Sequence, residues 1–148
     1  MSIFNAAVCK LSGDAFVGCL AWSSSDAIAA VSTITVDDSD KECFQVQFIN
    51  VEGEVIPNSS ISHDCEAVAL DWQPNGRVIG IGWADGMVSC WTVDGRSRPT
   101  PVYSNSQQHY AQITILKWNP LGKRVITGDK VCLHNRIFEL LQFFSSHV

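Results

Sequence analysis

A chain of 148 residues, 46% hydrophobic and 17% charged, has enough apolar material for about one folded domain and is not composed like a disordered segment. Its formal net charge of -5 is unevenly spread, with two basic and ten acidic side chains in residues 1–70 against eight and five in residues 71–148. The basic half has no clustered Lys/Arg stripe, which argues against a nucleic-acid partner, and no apolar run approaches the roughly 20 residues that span a bilayer, which argues against direct membrane insertion.

From the amino terminus, the stretch after Met1 lacks the basic region and unbroken apolar segment of a secretory signal, so a soluble, intracellular protein is expected. The first patterned segment is Cys19-Leu20-Ala21-Trp22-Ser23. The run Asp37, Asp38, Asp40 and Glu42, offset only by Lys41, reads as a solvated loop. Asn58-Ser59-Ser60 has the form of a glycosylation sequon, but in an intracellular chain a turn is expected there. A second patterned segment, Val68-Ala69-Leu70-Asp71-Trp72-Gln73-Pro74-Asn75-Gly76, alternates apolar and other residues, as a half-buried strand does. Pro74 to Gly76 should break it. Val78 to Trp83 is predicted as the next strand, with Gly80 and Gly82 suited to close packing against a neighbouring sheet. Ala84-Asp85-Gly86 carries the Asp-Gly hairpin signal, Met87 to Val93 alternates again, and Asp94-Gly95 ends the run. The third patterned segment, Ile113-Thr114-Ile115-Leu116-Lys117-Trp118-Asn119-Pro120-Leu121-Gly122, repeats the second, W-x-P-x-G included.

Trp22, Trp72 and Trp118 are thus repeat positions, 50 and 46 residues apart. A four-stranded antiparallel unit cannot hide both its faces alone, and radial stacking of copies solves that problem. The expected fold is all-β: a partial β-propeller of about two and a half four-stranded antiparallel blades, near residues 15–58, 59–104 and 105–130. An immunoglobulin-like sandwich leaves the recurring W-x-P-x-G unexplained. Residues 131–148 read as a divergent tail, with Ile137 to Phe144 as a short amphipathic helix or an exposed apolar stretch.

Here the sequence resembles the WD40 repeats, whose spacing is about 40–45 residues. His63 opens a unit, Asp85 stands in its hairpin and Trp91 follows six residues later. The resemblance implies a structural hydrogen-bonded network of His63, Asp85 and Trp91, and Asp129 occupies the aspartate position of the third copy. Two residues before Asp85, where the family has a hydroxyl, stands Trp83, so the network is expected to be incomplete. Leu20-Ala21-Trp22, Ile28-Ala29-Ala30-Val31-Ser32, Asn50 to Glu54, Ile79 to Gly86 and Ile113 to Asp129 are together similar to the amino-terminal propeller of the intraflagellar transport protein 140 family, subunits of intraflagellar transport complex A. That similarity runs over residues 19–130 and implies a non-catalytic scaffold in retrograde ciliary transport and cilium assembly. It implies a location in the cytoplasm, at the ciliary base and in the cilium, with the other complex A subunits as partners. The alternative is a WD-repeat adaptor in non-ciliary vesicle or coat trafficking. Beyond Lys130 the resemblance stops, and an origin of the tail in alternative splicing, a gene-model error or truncation is the expectation.

Catalytic readings fare poorly against structural ones. His63, Asp64 and Cys65 are neighbours, and successive strand residues point to opposite faces, so no nucleophile–base pair is expected. Asp71 and Asp85 are accounted for by a strand end and a hairpin turn, and His109 by the opening position of a unit. Gly80, Gly82 and Gly86 are not followed by the G-K-S/T of a phosphate loop. The six cysteines, at 9, 19, 43, 65, 90 and 132, include no C-x-x-C pair, so no metal centre is expected and they read as reduced, buried apolar residues. No catalytic residue, cofactor or small-molecule substrate is expected.

Overall fold

The computed structural model describes residue 11 and residues 14–105, 109–131 and 138–142. Its strands are β1 (Phe16–Trp22), β2 (Ala29–Val36), β3 (Glu42–Ile49), β4 (Ile61–His63), β5 (Ala67–Trp72), β6 (Val78–Trp83), β7 (Val88–Thr92), β8 (Thr100–Asn105), β9 (Ile113–Trp118), β10 (Arg124–Asp129) and β11 (Phe138–Gln142). They form three antiparallel sheets in the orders β1-β2-β3-β4, β5-β6-β7-β8 and β9-β10-β11. The described residues contain no helix.

The sequence of β6 shows how the sheets come to stack. Its side chains alternate, so Ile79, Ile81 and Trp83 point one way and are fully buried in the core shared with the first sheet. Gly80 and Gly82 point the other way, where side chains of the third sheet fill the space: a Cβ on Gly80 would lie 2.9 Å from Leu116 Cδ2, and one on Gly82 would lie 2.5 Å from Ile113 Cγ2. Two cores result. One joins Ala30, Val46, Phe48 and Ile61 to Leu70, Trp72 and the β6 apolar face, with Phe48 and Trp72 edge to face at 6.0 Å. The other joins Val88 and Cys90 to Ile113, Leu116, Trp118 and Val125.

Between sheets, a single polar contact is repeated. The Trp72 indole Nε1–H donates to the carbonyl of Ala21 at 3.1 Å, and the Trp118 Nε1–H donates to the carbonyl of Asp71 at 3.2 Å. Each acceptor precedes the tryptophan of the previous unit, so one operation relates β1 to β5 and β5 to β9. The turns beyond the tryptophans are linked in the opposite sense, Ser25 Oγ donating to Gly76 O at 3.0 Å and Gln73 Nε2 to Gly122 O at 2.6 Å. Those turns have the expected chemistry, with positive φ at Asn75 and Gly122. Asn58 likewise adopts positive φ, in a turn.

The tail departs from expectation. Residues 138–142 are not helical but pair antiparallel with β10, Val125 opposite Leu141 and Thr127 opposite Phe138. An open strand edge offers a row of unpaired N–H and C=O groups to any extended segment, which an internally bonded helix cannot satisfy. Beyond Val131, the rest of the tail lies outside the described residues. Among the described residues, no helix is long and apolar enough to cross a membrane.

Two substitutions test the stacking. Trp72→Phe removes the indole donor and opens a small void, and should cost about 2–4 kcal/mol, read as a lowered urea midpoint. Gly82→Ala should cost about 1–3 kcal/mol through overlap with Ile113, whereas Gly128→Ala should shift the midpoint little; there a Cβ would rest 3.9 Å from Ile115 Cβ, an ordinary contact.

Candidate functional site

The polar side chains that carry the repeat pattern meet where one sheet hands the chain to the next. His63 ends the outer strand β4 of the first sheet, and Asp85 lies in the β6–β7 hairpin of the second. His63 Nε2 lies 3.0 Å from Asp85 Oδ2. Asp85 Oδ1 accepts the Met87 N–H at 2.9 Å, and Gly86 takes the positive φ the hairpin needs. Burial pushes the Asp85 carboxyl up, but the Met87 N–H and the His63 ring outweigh it and hold the group below its ordinary value. The Trp83 ring packs against the His63 ring, centroids 4.3 Å apart.

Trp91 is in the same hairpin, but its indole N–H donates to Ser89 Oγ at 3.0 Å, as does that of Trp83 at 2.9 Å. Ser89 therefore gathers the two indoles, and the His63–Asp85 pair stands beside them. Ser89, one strand over, is thus the hydroxyl that the indole of Trp83, two residues before Asp85, turns to, and sequence reasoning did not single it out. Its signal was its place opposite Ile81 in the β6–β7 ladder, visible only once the register is known.

The third unit is more enclosed. His109 Nδ1 lies 3.1 Å from Asp129 Oδ2, and Nε2 lies 2.8 Å from Thr127 Oγ1. With Nδ1–H donating to the carboxylate, a neutral ring leaves Nε2 to accept the Thr127 hydroxyl proton. The His109 and Asp129 side chains are only 1% and 8% exposed, against 21% and 47% for His63 and Asp85. Thr127 was missed in the sequence, although it stands two residues before Asp129, the offset at which Trp83 precedes Asp85.

Elsewhere, Asp71 joins the second and third sheets: its Oδ2 accepts the Trp118 N–H at 2.8 Å and its Oδ1 meets Lys117 Nζ at 3.0 Å. The Asp71 and Asp85 carboxylates are each committed to a backbone donor, the N–H of Trp118 and of Met87. Trp22 is 57% exposed, unlike the buried Trp72 and Trp118. Four cysteines lie among the described residues, all free thiols, and of these only Cys90 is fully buried. The others are half-buried, and Cys65 lies in the bend after β4 rather than in a strand. Burial pushes the Cys90 thiol up to about 12 and, against a hydrogen bond from Ser32, the Cys19 thiol up to about 11. Neither is an activated nucleophile.

Residues 6–134 match the family described as the IFT140 first beta-propeller. The chain belongs to this family. The match is wider than the stretch from 19 to 130 over which the resemblance can be read by eye, and reaches past Lys130. The F-box-like/WD repeat-containing protein TBL1X of Homo sapiens is 34% identical over 63 residues, 43% of this chain and 10% of that protein. Its Mus musculus counterpart is 32% identical over 63 residues, 43% of this chain and 11% of that protein. The chain therefore spans about a tenth of the length of these relatives. Among solved structures, the outer coat vertex of COPII on membranes aligns with a TM-score of 0.62 at 17% identity, over 74% of this chain and 30% of that one. The mitotic checkpoint complex aligns with a TM-score of 0.57 at 16% identity, over 88% and 41%. At such identities the likeness is one of fold. Family, repeat and sheet order agree on a WD-repeat β-propeller, a fold whose members are generally protein-interaction modules.

The two histidine sites differ in burial, and their truncation should differ in cost. His109→Ala leaves the Asp129 carboxylate and the Thr127 hydroxyl short of a partner in a closed site, and should lower stability by about 2–4 kcal/mol. His63→Ala, at the more exposed pair, should cost under about 1 kcal/mol in the same urea titration. Because the Asp85 carboxyl is held low in the folded state, its stabilisation is present above the ordinary carboxyl range and lost as pH falls through the lowered value.

Proposed function

We propose that the chain is a non-catalytic protein-interaction scaffold of an intraflagellar transport complex A subunit, acting in retrograde ciliary transport and cilium assembly. Its partners are the other complex A subunits, and its place is the cytoplasm, the ciliary base and the cilium. The observation that carries this reading is the family match over residues 6–134.

The chemistry of the described surface supports it. A scaffold needs rigid, varied loops rather than a converging set of reactive groups. The acidic β2–β3 turn is such a loop: Asp37 Oδ1 accepts the N–H groups of Ser39 and Lys41 at 2.8 and 3.0 Å, and Asp40 takes a positive φ. The turn after β7 is built alike, with Asp94 Oδ1 accepting from Arg96 and Ser97 at 2.9 and 2.8 Å. Neighbouring cations are engaged in ion pairs, Arg77 with Asp26 and Lys117 with Asp71, which suits a protein partner better than a phosphate backbone. In the hairpin of the second unit, the carboxylate of Asp85 contacts the His63 ring, so the imidazole's Nε2 is not left to activate a nucleophile. In this reading His63, Asp85 and Trp91 serve the blade's architecture, as Asp129 serves that of the next.

Proximity labelling from the tagged full-length protein in ciliated cells tests the assignment. Complex A subunits should be enriched several-fold over labelling from an unrelated WD propeller, with signal at the ciliary base. Equal labelling by the two baits would overturn it.

A further inference from the structure

The second and third units share a frame and differ in chemistry around their histidines. In the third unit both ring nitrogens of His109 are hydrogen-bonded, to Asp129 and Thr127. In the second, Trp83 replaces the hydroxyl at the threonine position, and Cys65 stands two residues after the histidine, where the third unit has Ala111. One exchange removes a partner of the ring and the other adds a sulfur donor. The His63 ring nitrogen, Cys65 Sγ and an Asp85 carboxylate oxygen lie within 4.8 Å of one another. β4 ends at His63, and the chain bends at Asp64 and Cys65, with Cys65 Sγ close to the His63 ring and the Asp85 carboxylate.

We propose that His63, Cys65 and Asp85 form a binding site for a divalent transition-metal ion of the zinc type, with a fourth position open to water. Imidazole nitrogen, thiolate sulfur and carboxylate oxygen are the three donors zinc takes, and three protein ligands with one open position is a recurring zinc arrangement. Magnesium and calcium prefer all-oxygen sets and are disfavoured by the nitrogen and sulfur. Tetrahedral bonds of about 2.0–2.1 Å place nitrogen and oxygen about 3.3 Å apart, so the present 3.0 Å between His63 Nε2 and Asp85 Oδ2 needs to open only slightly.

The surroundings orient the donors. The Met87 N–H holds the other carboxylate oxygen, and the buried Trp83 ring walls one side of the imidazole. Such outer contacts are what fix metal ligands in place. The partial exposure of His63 and Asp85 leaves a path for the ion. On binding, the thiol proton leaves to solvent and the imidazole proton moves from Nε2 to Nδ1, freeing Nε2 to ligate. One proton is thus released per ion bound.

The test is a cobalt(II) titration of the 148-residue chain under reducing conditions, followed by zinc displacement. A thiolate-to-cobalt charge-transfer band saturating at one equivalent is expected, lost on zinc addition. Cys65→Ser should abolish the band, with circular dichroism showing the fold retained. His63→Gln and Asp85→Asn should each weaken binding at least about tenfold, and Cys43→Ser should leave it unchanged. Absence of a saturating thiolate band in the folded wild-type chain, or its persistence in Cys65→Ser at the same stoichiometry, would overturn the proposal.

Discussion

The contact between adjacent inner strands governs this structure: a tryptophan indole N–H donating to the carbonyl just before the preceding unit's tryptophan. A buried indole must find an acceptor, and a carbonyl at a sheet interface must find a donor. Meeting each other, they satisfy both needs and set the stagger between sheets. How close the sheets approach is then decided by Gly80 and Gly82, which leave the second sheet's rear face open to Leu116 and Ile113. With stagger and spacing set, the turn-to-turn links and the histidine–aspartate contacts fall into register at both interfaces.

That shared frame tolerates different side-chain chemistry at equivalent positions. The third unit closes its histidine between a threonine and an aspartate, away from water. The second unit spends its hydroxyl position on Trp83, whose N–H turns to Ser89, and leaves its histidine at the margin beside a thiol and a carboxylate. Apolar packing holds the second unit where hydrogen bonds contribute more to the third. Its polar corner is thereby more open to solvent than its counterpart in the third unit.

Much of the fold was legible because it depends on local periodicity. The tryptophan spacing, the alternation in Val78 to Trp83 and the Asp-Gly hairpin each report on a backbone that extends or reverses, and β5, β6 and β7 follow them closely. Contacts between elements were less legible. Ser89 and Thr127 acquire meaning only from the strand opposite or the loop folded over them, and Cys65 joins His63 and Asp85 only because a hairpin from the next sheet is laid against β4. The tail shows the same limit: an apolar segment encodes little about its own conformation when a neighbouring strand edge offers the hydrogen bonds.

The repetition of one interface has a consequence for how disorder spreads. The second sheet has two neighbours among the described residues, while each of the others has one, so opening it forfeits two sets of buried indoles and opening either flank forfeits one. A linear array coupled only to nearest neighbours melts from its margins inward. In amide exchange, such coupling ranks the backbone of Val78–Trp83 as the last to open, with protection falling away toward β2 and β10.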